Sequence, residues 1–120
     1  MNILVCEDNV MTLTTIEFSL KKAGFYVFKA QDGFQGIRIL GEEKIDLVIT
    51  DINMPYTKGL ELIRHINTKM KPKIPVIVVT GITNDETKAH ARELGANGYL
   101  TKPFDLDVMV NMVKSFSKEN

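Results

Sequence analysis

Three stretches of four or five residues, Ile3–Cys6, Leu47–Thr50 and Val76–Thr80, are apolar or β-branched throughout instead of alternating apolar with polar. Runs this short suit strands better than helices, and a strand with no polar side must be covered on both faces. A sheet buried on both sides is characteristically parallel, with helices as the crossovers. The segments between the runs fit that demand. Asn9 is placed to cap a helix with Val10, Leu13, Ile16 and Leu20 on one stripe, stopped by Gly24. Tyr26–Ala30 reads as a second strand, and the Gln31-Asp32-Gly33 turn leads into a helix with Phe34, Ile37 and Leu40 at helical spacing. Gly36 inside that helix costs about 1 kcal/mol relative to alanine.

After Asp51 a loop containing Pro55 precedes a third helix with Leu62, Ile63, Ile66 and Met70 on one side. Pro72 and Pro75 bracket the link to Val76–Thr80, and Thr83 to Glu86 has capping-box spacing before a fourth helix closed by Gly95. Tyr99–Thr101 is a short last strand. Asp105 caps a final helix with Leu106, Met109, Val110, Val113 and Phe116 inward, and the tail from Ser117 should fray. Five strand–helix units with right-handed crossovers give an open, doubly wound α/β sheet of five parallel strands, a (βα)5 domain filling residues 1–120.

Composition narrows the function. Fifteen basic residues balance fifteen acidic ones, so the chain lacks the basic excess of a general nucleic-acid binder. One cysteine, Cys6, rules out an internal disulfide and a cysteine-based zinc site, and within its strand it reads as a small buried hydrophobe. No apolar run approaches the ~20 residues that span a bilayer, and four apolar residues followed by Glu7-Asp8 do not form a signal-peptide core. The expected setting is cytoplasmic, with neither membrane insertion nor direct nucleic-acid binding.

In sheets of this kind ligands bind beyond the carboxyl ends of the strands. There the sequence puts Glu7 and Asp8 after the first strand, Asp51 after the third, Thr80 at the end of the fourth and Lys102 after the fifth. Taken singly, an acidic pair caps a helix, a strand-end threonine is ordinary and a lone lysine is usually solvated. Their joint placement at four strand ends carries the argument. Crowded carboxylates repel unless a cation intervenes, and hard oxygen ligands with room for water suit Mg²⁺. An aspartate beside Mg²⁺, a lysine and a hydroxyl is equipped to accept a phosphoryl group.

These residues also carry a family resemblance. Ile3-Leu4-Val5-Cys6-Glu7-Asp8-Asn9, Asp51-Ile52-Asn53-Met54-Pro55, Gly59-Leu60-Glu61, Val78-Val79-Thr80, Gly95-Ala96 and Tyr99-Leu100-Thr101-Lys102-Pro103-Phe104 closely resemble the receiver domain of bacterial two-component response regulators, of the single-domain, chemotaxis-regulator-like kind. The resemblance implies a flavodoxin-like strand order of 2-1-3-4-5. It implies that Asp51 accepts phosphate from a sensor histidine kinase or phosphotransfer protein. Glu7, Asp8, Asp51 and the backbone carbonyl of Asn53 would hold Mg²⁺, and Lys102 would contact the phosphoryl group, with a cis bond to Pro103. Thr80 and Tyr99 would form a switch pair that reshapes the fourth-helix, fifth-strand, fifth-helix face for a downstream target. Such a chain is a phosphoacceptor that assists its own phosphorylation and dephosphorylation, not a conventional enzyme, and it is expected to hold no output domain within these residues.

Three positions depart from the family's habit: Gly81 after Thr80, Thr57-Lys58-Gly59 after the acidic loop, and Asn97-Gly98. Asn97-Gly98 lacks the acidic residue of receivers that dimerise through the output face, which removes the support for that mode of dimerisation. Two other classes fit less well. A haloacid-dehalogenase-type phosphohydrolase needs a second aspartate two residues after the nucleophile, where this chain has Asn53. A flavodoxin-like flavin binder needs a hydroxyl- and glycine-rich phosphate loop after the first strand, where Glu7-Asp8 would repel a bare phosphate. His65, His90 and the Lys88/Arg92 pair read as solvated helix faces, and Met109, Met112 and Phe116 as core or edge packing.

Overall fold

The computed structural model describes residues 1–53, 59–70, 73–81 and 84–117. Strands and helices alternate: β1 (Asn2–Cys6), α1 (Val10–Lys22), β2 (Tyr26–Ala30), α2 (Gly33–Glu42), β3 (Leu47–Thr50), α3 (Gly59–Lys69), β4 (Val76–Thr80), α4 (Asp85–Leu94), β5 (Gly98–Thr101) and α5 (Leu106–Phe116). All the pairings are parallel and the order is β2-β1-β3-β4-β5, as the resemblance implied. The expectations for Pro55, Thr57, Lys58, Pro72, Thr83 and residues 118–120 lie outside the described residues.

The uniformly apolar strands do what their composition requires. Leu4, Val48, Val76 and Val78 face a core closed by Leu40 of α2, Leu62, Ile63 and Ile66 of α3, and Ala91 of α4. Their neighbours Ile3, Val5, Leu47, Ile49, Ile77 and Val79 face the other core, against Leu13, Ile16 and Leu20 of α1 and Met109 and Val113 of α5. Successive side chains on each strand thus feed opposite layers. Deleting any of these large side chains costs about 2–5 kcal/mol.

The helix ends follow local chemistry. The side chains of Asn9, Asp32 and Asp105 accept from backbone N–H groups in the first turns of α1, α2 and α5. α4 is capped by Asn84, whose Oδ1 accepts from Thr87 N at 2.7 Å, and is closed by Gly95 at φ 118°.

Two expected core residues are on the surface. Val10 is 58% exposed, at the first residue of α1, three residues before the buried Leu13. Phe34 is 67% exposed, because α2 turns its glycine side to the sheet. A Cβ on Gly36 would come within 2.8 Å of Cys6 Sγ, and Phe34 lies about 200° around the helix from Gly36. The helix-propensity cost of Gly36 therefore has a return in close helix–sheet packing.

Candidate functional site

The strand ladders carry on past the strands and bring the site together. Cys6 and Thr50 are register partners, and Asp51 N donates to Cys6 O at 3.0 Å. Glu7 N donates to Ala30 O at 2.9 Å, and Lys102 N donates to Thr80 O at 2.8 Å. Glu7, Asp51 and Lys102 are thus each the first residue beyond a paired strand end, held by its own backbone. Thr50 Oγ1 donates to Asp51 O at 2.9 Å, further fixing that peptide.

Lys102 bridges the two buried carboxylates. Its Nζ donates to Asp51 Oδ2 and to Glu7 Oε1, both at 2.7 Å. The second oxygen of each carboxylate has a backbone donor: Asn53 N to Asp51 Oδ1 and Asn9 N to Glu7 Oε2, both at 3.1 Å. Glu7 is 1% exposed and Asp51 6%, whereas Asp8 is open to solvent. One oxygen from each of Glu7, Asp8 and Asp51 lies within 4.8 Å of the others. Three carboxylates and one ammonium leave about two negative charges uncompensated if all are ionised.

Burial raises the Glu7 pKa above the usual glutamate range, although the bonds from Lys102 and from Asn9 N pull it down and the Asp51 charge pushes it up. For Lys102, burial favours the neutral amine, but its bonds to Asp51 and Glu7 outweigh burial and the pKa rises. The donor set fits a small hard cation: all-oxygen ligands, two of them pre-oriented, and an exposed Asp8 where coordinated water has room. Bound there, a divalent cation would neutralise the cluster and attract a phosphoryl group.

Thr80 ends β4 with 1% exposure, opposite Thr101 of β5. Tyr99 pairs with Val78, so by the two-residue repeat of the strands it shares a sheet face with Thr80, one repeat away on the neighbouring strand. Its ring is half-buried against the core of α2, α3 and α4. Burial raises the Tyr99 pKa, and the Asp51 charge raises it further. The Lys102–Pro103 peptide is cis, as the resemblance implied.

The structure also gives particular contacts to residues that the sequence reading had not placed at the site. A Cβ on Gly59 would run into Asp51 O and come within 2.7 Å of Ile52 Cα, so only glycine lets α3 start against the Asp51–Ile52 backbone. Gly59 N donates to Ile52 O at 3.0 Å. Asn97 brackets Val76 at the start of β4, its Oδ1 accepting from Val76 N at 2.9 Å and its own N donating to Val76 O at 2.7 Å. Lys88, read as a solvated lysine, places its Nζ 5.3 Å from the centroid of the Tyr99 ring. Cys6 is buried, and desolvation pushes its thiol far above the usual range, which leaves it unreactive. His90 is exposed and His65 is half-buried.

Comparison with known proteins agrees with this geometry. The family model described as the response regulator receiver domain matches residues 3–114. A response regulator receiver domain protein from Clostridium thermocellum is 33% identical, with a TM-score of 0.88 over 96% of this chain and 92% of that one. The chemotaxis response regulator CheY4 of Vibrio cholerae is 25% identical, with a TM-score of 0.89 over 96% of this chain and 97% of that one. The BeF3-activated receiver domain of DrrB is 29% identical, with a TM-score of 0.90 over 98% of this chain and 97% of that one. A match that runs unbroken from β1 into α5 takes in every strand end at which the acidic site is built, and on that ground the chain belongs to the response regulator receiver domain family.

Proposed function

We propose that this chain is a two-component receiver whose Asp51 accepts a phosphoryl group from the phosphohistidine of a sensor histidine kinase or phosphotransfer protein. The observation that carries this reading is the setting of Asp51: a nearly buried carboxylate held by Lys102 Nζ and Asn53 N, with Glu7 and Asp8 beside it. In the transfer, an Asp51 oxygen forms the new bond to phosphorus as the phosphorus–nitrogen bond breaks. The imidazole leaves with that electron pair and takes up a proton.

Glu7, Asp8, Asp51 and the Asn53 carbonyl would hold Mg²⁺, which when bound supplies charge neutralisation at the transferring phosphoryl oxygens. Lys102 then exchanges its Asp51 partner for a phosphoryl oxygen while Glu7 keeps it in place. Thr80 offers its hydroxyl to another phosphoryl oxygen, and Tyr99 follows on the same sheet face. The resulting change at the α4-β5-α5 face is what a downstream target reads. Activation of the similar DrrB receiver domain by BeF3 supports this reading, since that compound resembles a phosphoryl group in shape and charge. Chemically the chain is a phosphoacceptor that assists its own phosphorylation and hydrolysis rather than a conventional enzyme. Among the described residues no helix is long and apolar enough to cross a membrane, and we place its action in the cytoplasm beside its kinase.

The test is incubation with Mg²⁺ and acetyl phosphate followed by mass spectrometry to locate the modification. One phosphoryl group per chain, on Asp51 and dependent on Mg²⁺, is the expected result. Labelling at any other side chain would overturn the assignment.

A further inference from the structure

The Lys88–Tyr99 contact plays no part in the acidic site, and no role for it follows from the phosphoryl chemistry. Lys88 projects from the exposed side of α4, and its ammonium stands 5.3 Å from the Tyr99 ring centroid. The ring also packs against the apolar core under α2, α3 and α4. Tyr99 is therefore in contact with hydrocarbon and with a cation. One turn further along α4, Arg92 joins Lys88 at the rim of a hollow of about 60 Å³, walled by Ala96, Asn97, Gly98 and Tyr99. Among the described residues that line this hollow, Lys88 and Arg92 are the charged ones and none is a carboxylate.

We propose that Lys88 is a positioning residue that holds the Tyr99 ring in its resting arrangement, so that α4 itself opposes the switch. This rests on the reading of Tyr99 as the relay from Asp51. The Lys88–Tyr99 contact coexists with Lys102 engaged on both Glu7 and Asp51, the pairing of an Asp51 that carries no phosphoryl group. Moving the ring away from α4 breaks the contact, and a phosphoryl ligand at Asp51 must supply that difference. A cation on a tyrosine face at an exposed site changes such an equilibrium about two- to fivefold.

The test uses the full chain with Lys88→Met, which keeps the stem and the helix propensity but removes the charge, and Lys88→Arg, which keeps a cation. Beryllofluoride is titrated at fixed Mg²⁺ and followed by the amide resonances around Asp51 and Tyr99. The half-saturating concentration should fall about two- to fivefold in Lys88→Met and remain close to the parent in Lys88→Arg. In the ligand-free parent, the Lys88 ε-methylene protons should be shifted upfield by the ring and should return to ordinary positions in Tyr99→Leu. Equal titrations for the parent and Lys88→Met, or ε-methylene protons indifferent to Tyr99→Leu, would overturn the proposal. Parent Tyr99 resonances that ignore beryllofluoride while the upfield shift is present would instead remove the relay reading, and the proposed brake would go with it.

Discussion

Two carboxylate clusters in this molecule use the same ingredients and behave oppositely. On α1, Glu17 lies 2.9 Å from Lys21 and 3.3 Å from Lys29 of β2, one carboxylate between two ammonium groups. The bond from Lys21 leads in lowering its pKa below the usual glutamate range. At the carboxyl edge of the sheet the ratio is reversed, with one ammonium between two buried carboxylates and a third at the rim, and the Glu7 pKa is raised. At Glu7 burial sets the sign and the ion pair with Lys102 only offsets it, whereas at Glu17 the bond from Lys21 sets it. The Glu17 group is satisfied as it stands. The edge cluster has negative charge in excess and a place for an incoming cation, which marks it as a site.

The sharpest way to break this contrast is Asp51→Asn. Phosphorylation by acetyl phosphate should vanish completely, whereas Glu17→Gln should leave it unchanged; intact-mass measurement reads both. The next effect concerns how rigidly each cluster is held. Gly59→Ala pushes a methyl group into the Asp51 peptide and should cost about 1–3 kcal/mol in urea denaturation. Gly41→Ala, in the exposed side of α2 where a Cβ meets nothing, should be neutral or gain up to about 1 kcal/mol. Equal results for the two glycines would refute the idea that the Asp51 backbone is held by close contact.

Asp8→Asn removes one of three converging charges. Like charges about 4 Å apart interact by about 1 kcal/mol in water and about 4 kcal/mol near a protein surface. The metal-free variant should therefore gain on the order of 1–2 kcal/mol, while Mg²⁺ raises its melting temperature less than the parent's. A metal-free Asp8→Asn protein that melts below the parent would show that the cluster is not strained.

The two glutamates should also divide in pH. In metal-free protein, carbon-detected NMR should place the Glu7 midpoint above the ordinary glutamate value and the Glu17 midpoint below it. Since the folded-state pKa of Glu7 is raised, its favourable contribution is full below the ordinary value and is lost as pH rises through the raised one. Glu17 runs the other way: its contribution is full above the ordinary value and is lost as pH falls through the lowered one. The smallest effect expected is from Glu17→Gln, about 0.2–1 kcal/mol of stability, declining with added salt.

Much of this molecule is determined by the sequence alone. The runs Leu47–Thr50 and Val76–Thr80 have no polar face, so they become interior parallel strands with the bounds read from composition. Asn9, Asp32, Gly95 and Asp105 cap where their side chains or lack of one make them cap, because those bonds are made within a few residues. Parallel strands ending together made the grouping of Glu7, Asp51, Thr80 and Lys102 legible before any coordinate. What depends on how elements approach one another was not. Phe34 points outward and Gly36 inward because α2 sits so close to Cys6 that only a glycine fits. Gly59 is indispensable only once α3 is seated on the Asp51 peptide, and Lys88 meets Tyr99 only because α4 lies beside β5. Distances between elements are set by packing of the whole domain, and no periodicity or local bond along the chain encodes them.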